Sequence, residues 1–139
     1  MNFENIRKKE QFFSIWEKRR NLAELDSKEV WIARAMEELT QYHSLWESAD
    51  VYEVLNFKGR MNPFFHVTVR AMILEQEATG DPPEVAEALA HMKKKGIGRS
   101  RAKDSIGVIL ADEMGEMIKN RSPLNRERYC SRVAGIMDA

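Results

Sequence analysis

Cysteine is nearly absent from this sequence. The single Cys130 excludes an intramolecular disulfide and every metal site built from several thiolates. Glycine and proline are scarce, at seven and four in 139 residues, which excludes a collagen-like or loop-dominated chain. No run approaches the ~20 apolar residues of a membrane span, and the charged N-terminal stretch does not read as a signal peptide. There is no excess of either charge: 22 Lys plus Arg balance 22 Asp plus Glu. A bulk electrostatic affinity for nucleic acid or an anionic membrane is therefore missing, and any such binding must be local. A reduced, cytoplasmic protein without a membrane segment is expected. Hydrophobic residues at 43% and charged residues at 32% describe an ordinary globular chain, long enough to bury a core without staples.

What is present favours helix. Met, Glu, Lys, Arg, Ala and Leu abound, no run shows the alternation of a half-buried strand, and no Asn-Gly or Asp-Gly hairpin signal occurs. A first helix is expected over about Asn5 to Arg20, with Ile6, Phe12, Phe13, Ile15 and Trp16 as its apolar side. Asp26 with Glu29 reads as a capping pair opening a second helix, with Val30, Trp31, Ala33, Met36 and Leu39 inward. Brief helical turns are expected between Tyr42 and Phe57, broken at Asp50 and Asn56 and carrying His43, Leu45, Trp46, Tyr52 and Leu55.

Asn62-Pro63 is the clearest start signal, since Asn can cap exposed N–H groups and Pro fits the first helical position. The helix it opens, to about Thr79, is apolar on most of its circumference and is expected to be central. Gly80 can end it, and Asp81-Pro82-Pro83 starts the next, to about Lys94, with Val85, Leu89 and Met92 inward. A long helix from about Arg101 to Asn120 follows, with Ile106, Ile109, Leu110, Met114, Met117 and Ile118 apolar. After Ser122-Pro123, Asn125 can cap a last helix carrying Tyr129, Val133 and Ile136. The expectation is one compact all-α domain over residues 1–139, with about five main helices and short turns.

Charge is segregated along the chain. Residues 35–57 and 71–92 each hold five acids and no Lys or Arg, while Lys93 to Lys103 holds six basic residues in eleven and no acid. Two readings stand: solvated faces, as exposed charge runs usually are, or one basic patch made for an anionic partner. Within that basic connector, Gly96-Ile97-Gly98 followed by Ala102 and Ile106 resembles the helix-hairpin-helix motif of DNA repair and replication proteins. In that motif a glycine turn before a helix N-terminus offers backbone N–H groups to phosphate oxygens. Arg99, Arg101 and Lys103 would add side-chain contacts. The match is partial, because Lys94 and Lys95 stand where the motif has an apolar residue and often a proline. A helix C-cap glycine followed by a basic loop explains the same residues without a ligand, and is preferred.

Metal chemistry has few donors to draw on. The only histidines are His43, His66 and His91, preceded at three residues by Thr40, Pro63 and Ala88, so the Glu-x-x-His of di-iron bundles is missing. A weak alternative places a divalent metal at His66 with Glu75 and Asp104, with Asp112, Glu113 and Glu116 as further carboxylates that could converge on it. The plainer reading makes His66 and His43 histidines bonded to a backbone carbonyl or a carboxylate. Cys130 has no histidine near it in sequence, and no phosphate loop or dinucleotide fingerprint exists. No cofactor is expected.

Taken together, the residues resemble an uncharacterised bacterial family, a domain of unknown function whose centre reads Asn-Pro-Phe-x-His. The resemblance rests on Phe12-Phe13 with Trp16 and Lys18, on Tyr42-His43-x-Leu45, and on Asn62-Pro63-Phe64-Phe65-His66. It continues through Glu75-Gln76, Asp81-Pro82-Pro83 and Glu116-Met117-Ile118. It implies a small helical protein and no particular activity. The family pattern often has a second histidine four residues after the central one and two more on the penultimate helix. Arg70, Asp104 and Val108 stand at those positions here. The resemblance therefore leaves His66, with Asp104, as the remnant of any metal set, and argues against an enzyme. The glycine pair of the connector is not part of the family pattern, which weakens the nucleic-acid reading. The leading expectation is a non-enzymatic helical module that binds protein, or a second copy of itself, through its oppositely charged faces.

Overall fold

Local signals decide where most of the helices begin and end. In the structure, a computed structural model, residues 3–47 and 62–138 are described, with side chains from residue 10 onward in the first helix. Ile6 as a side chain, and the expected turn residues Asp50, Tyr52, Leu55, Asn56 and Phe57, lie outside the described residues. Seven α-helices occur among the described residues, with no strand: α1 (Phe3–Lys18), α2 (Ser27–Glu38), α3 (His43–Glu47), α4 (Pro63–Thr79), α5 (Pro83–Lys94), α6 (Arg99–Asn120) and α7 (Arg126–Gly135). Short 3-10 turns cover Leu22–Glu24, Thr40–Tyr42 and Ile136–Asp138. The expectation of about five main helices is thus too low. Each glycine or proline stop is followed directly by a new cap, and the brief turn at His43 closes into α-helix.

The Asp26–Glu29 pair forms a complete capping box. Asp26 Oδ1 accepts from the N–H groups of Lys28 and Glu29 at 2.9 and 2.8 Å, and Glu29 Oε1 accepts from the Asp26 N–H at 3.0 Å. Asn62 Oδ1 accepts from the Phe64 N–H at 2.9 Å, with Pro63 in the first helical position of α4. Asn125 Oδ1 accepts from the Arg128 N–H at 3.0 Å and starts α7. Gly80, at φ 70°, ends α4. The long helix α6 begins at Arg99, two residues earlier than expected, because Gly98 rather than a side chain serves as its N-cap.

Contacts divide the chain into two compact units, Met1–Ala71 and Met72–Ala139, with the boundary inside α4. The first unit is built on aromatic packing. Phe12 stacks with Trp46 at 6.3 Å between centroids, and Phe64 meets both edge-on, at 5.2 Å from Phe12 and 5.5 Å from Trp46. Edge-to-face geometry aligns the positive ring edge with a negative face and adds to the burial itself. Trp16 is capped by the Arg19 guanidinium, 3.8 Å from its ring centre. One charge sits deep in this unit: Arg70 is 1% exposed and donates to Glu38 Oε1 at 3.1 Å.

The second unit packs α5, α6 and α7 with the end of α4. Ile73, Val85, Ala88, Ile106, Leu110 and Val133 are fully buried. Tyr129 is buried among them, and its hydroxyl donates to Gln76 Oε1 at 2.7 Å. Ile118, expected on the apolar side of α6, is 76% exposed instead. At 100° per residue it stands about 80° from Leu110 and about 120° from Ile106 around the helix, off the buried stripe. No helix among the described residues is long and apolar enough to cross a membrane.

Candidate docking surface at the α5–α6 turn

Between α5 and α6 the chain reverses in four residues, and the hydrogen bonds of the turn explain each of them. The Gly96 N–H donates to the Lys93 carbonyl and the Ile97 N–H to the Met92 carbonyl, both at 3.0 Å. This is the paired bonding of a Schellman C-cap, which needs a left-handed residue at its second position. Gly96 supplies it at φ 80°. Ile97, half-buried, stands at the position that packs against buried Met92 in such a cap. The preferred reading of Gly96 as a C-cap glycine is therefore what the structure displays, and the apolar closure missing at Lys94 and Lys95 comes from Met92 and Ile97.

Gly98 follows at φ −59°, an ordinary conformation, and opens α6 without a side-chain cap. Around this turn Lys93, Lys94, Lys95, Arg99 and Arg101 are all exposed. Arg99 Nη2 donates to Glu77 Oε1 at 2.8 Å. Lys103 is not on this surface: it is 1% exposed inside the second unit, on the buried side of α6, and cannot serve an external phosphate. Beside the turn lies an open cleft of about 390 Å³. Its walls include Ala86, Leu89, Ala90, Ile97 and Ala102, with Glu77, Lys93 and Arg99 among the polar lining. The cleft is apolar at its walls and carries both signs of charge at its edge, Glu77 against Lys93 and Arg99.

The histidine motif has a different character. His66 is half-buried on α4, and its Nδ1 shares a hydrogen bond with the Tyr42 hydroxyl at 2.9 Å. At Nδ1 the partner is a phenol. Pro63 and Phe64 are buried beneath it, so the Asn-Pro-Phe-x-His segment is a helix start anchored in the aromatic cluster. His43 behaves as expected, its Nε2 lying 2.9 Å from the Met36 carbonyl. Glu75 is exposed nine residues after His66 on α4, about two and a half turns on and so on the opposite side of the helix. Asp104 is exposed on α6. Among the described residues no group of three or more His, Cys, Asp or Glu is placed to hold a metal ion.

Two further groups are placed by the structure: Glu113, whose arginine partners the sequence does not reveal, and Cys130. Glu113, 2% exposed on α6, accepts from Arg128 through Nε at 2.8 Å and Nη2 at 2.7 Å, and from Arg132 Nη1 at 3.1 Å. The Arg128 hydrogen bonds hold its carboxyl below the usual carboxylate range, against the upward pull of burial, with Arg132 helping. Arg132 also donates to Asp112 at 3.0 Å. This is an ion cluster that ties α7 to α6. Cys130 is half-buried on α7, where burial pushes its thiol up and the Glu84 carboxylate pushes it further. A thiol kept protonated in this way is a poor nucleophile. An i, i+4 or i, i+3 spacing could have flagged Arg128 with Arg132, but nothing in the sequence points from them to Glu113.

The architecture is that of a small all-helical protein with a basic turn as its most distinctive surface. Residues 4–135 match the family model described as Domain of unknown function (DUF1841), and the chain belongs to that family. No curated protein and no solved structure matches this chain.

Proposed function

We propose that the chain is a cytoplasmic, non-enzymatic bacterial docking module, acting as one domain, that binds an acidic protein surface through residues 93–101. The carrying observation is the exposure of Lys93, Lys94, Lys95, Arg99 and Arg101 at the turn between α5 and α6, with Lys93 and Arg99 lining the apolar cleft beside it. Complementary charge steers such an encounter, and the Ala and Leu side chains of the cleft supply the apolar contact that gives it lifetime. A tagged wild-type chain is expected to retain an acidic partner at low salt. A variant carrying Lys94→Glu, Lys95→Glu, Arg99→Glu and Arg101→Glu is expected to lose it while keeping the same helical circular dichroism. Equal retention by both proteins sinks the reading.

One observation favours a second reading, binding of a phosphate backbone. The N-terminus of α6 has no side-chain cap, so its first N–H groups point past Gly98 beside Arg99 and Arg101. A Cβ at Gly98 meets nothing within 4 Å and its φ is ordinary, so Gly98→Val leaves the fold intact and only covers those groups. On this reading duplex affinity falls steeply with salt, and Gly98→Val weakens it at every salt concentration. No binding of duplex at low ionic strength ends it.

A further inference from the structure

The exposed face of α5 carries a pattern of which the docking reading uses only Lys94 and the cleft wall Ala90. Its outermost stripe is Pro83, Glu87, Ala90 and Lys94, all exposed and spaced by four, three and four residues, so they form one line along the helix. Glu87, Lys93 and Lys94 enter no ion pair among the described residues. Glu87 and Lys94 are two turns apart, and Ala90 stands between them with no side chain beyond Cβ. Helix-dipole complementarity accounts for an acid in the first turn, such as Glu84, but its effect fades within that turn, and Glu87 lies in the second.

A stripe with a negative group, a small residue and a positive group in sequence is self-complementary when reversed. Two such helices laid antiparallel about a two-fold axis near Ala90 bring Glu87 of each copy opposite Lys94 of the other. The small Ala90 lets the helix backbones approach, and the aliphatic stem of each Lys94 can lie over the Ala86–Ala90 edge of the cleft on the other copy. A two-fold arrangement uses the same surface on both chains and closes, so it yields a dimer and not a filament.

We infer that the chain forms a two-fold dimer through the exposed face of α5, with a second copy of itself as the partner of this face. The inference deepens the docking reading by naming a partner for its α5 edge, and its test separates the two. Sedimentation velocity over a wide range of protein concentration is expected to show a monomer–dimer equilibrium. Glu87→Lys and Lys94→Glu should each weaken the dimer by about tenfold, because each replaces two attractive pairs with two repulsive ones. The double variant restores opposite charges and should recover wild-type association. In a Cys130→Ser background, Ala90→Cys is expected to form an intermolecular disulfide under mild oxidation, as the two copies of residue 90 flank the axis. A chain that stays monomeric overturns the inference. So does a dimer that ignores both single charge reversals or fails to cross-link at residue 90. Glu87→Lys leaves the cations of residues 93–101 intact, so its loss of the dimer with retention of an acidic partner supports the two readings separately, whereas a wild-type chain that retains an acidic partner but stays monomeric refutes only the self-association.

Discussion

Tyr129→Ala is expected to lower the unfolding free energy by about 3–5 kcal/mol, the range for truncating a large buried aromatic. Tyr129 is 1% exposed and its ring fills the space where α7 meets the rest of the second unit. Truncation removes a large apolar area and leaves a cavity bounded by helices that cannot fully collapse. Its hydroxyl adds a bond to Gln76, 53 residues away in sequence, so the same side chain also joins α7 to α4. Tyr129→Phe separates the two contributions. It keeps the ring and removes only the donor, and Gln76 is half-buried and can turn to water, so the cost should be about 1 kcal/mol. Urea denaturation followed by circular dichroism measures both. Against a whole-domain stability of about 5–15 kcal/mol, the alanine variant is expected to be partly unfolded at body temperature. A loss below about 1 kcal/mol for Tyr129→Ala would show that α7 is not an integral part of the unit. Burial also pushes the phenol far above its ordinary range. Tyr129 should therefore resist alkaline titration until the unit opens, which ultraviolet difference absorbance would reveal.

The elements legible in the sequence are those whose cause is local. Asp26 and Glu29 are three residues apart and form their capping box within one turn, so the pair announces the helix by itself. Asn62-Pro63, Gly80, Gly96 and Asn125 act the same way, through their own backbone or the next few N–H groups. Trp16, on the expected apolar side of the first helix, is legible as core in the same way, and it is buried. Buried ions were not legible. Arg70 is buried because Glu38 meets it from 32 positions away, and Glu113 because α7 delivers Arg128 and Arg132 to it. Helical period sets Arg70 between buried Val67 and Ile73, and Lys103 and Glu113 in line with buried Ile106 and Leu110, but it does not name the distant partner that lets a charge stay there. Counting Lys103 with the phosphate surface overlooks that period, because a count of basic residues in a connector does not say which side of α6 each one occupies. Ile118 shows the converse: its side chain is apolar, but it stands off the stripe of Ile106 and Leu110 and faces solvent. The cleft needs α5, α6 and the end of α4 together, and no single stretch of sequence carries it.

Glu113 supplies the other large effect, and its sign depends on pH. The carboxylate is buried, but its arginine partners are not: the side chains of Arg128 and Arg132 are 48% and 38% exposed. Removing one partner of a fully buried pair costs 3–5 kcal/mol because the other charge is stranded. Here the guanidinium groups can rehydrate, so Glu113→Ala is expected to cost less, about 2 kcal/mol at neutral pH. Most of that loss comes from the three charge-assisted hydrogen bonds of Arg128 and the one of Arg132. The folded carboxyl titrates below its ordinary value, with the Arg128 hydrogen bonds as the first cause. Protonation is therefore harder in the folded chain than in the unfolded one. The contribution of Glu113 is full above the ordinary carboxylate pKa and disappears as pH falls through the lowered folded value. Wild-type stability should drop along that acid limb. Glu113→Gln, which keeps the shape and lacks the charge, should start lower at neutral pH and fall less steeply on acidification, so that the two curves converge at low pH. Parallel curves across the acid range would mean that Glu113 is not ionised in the folded protein, and that α7 is held by Tyr129 and its apolar neighbours alone.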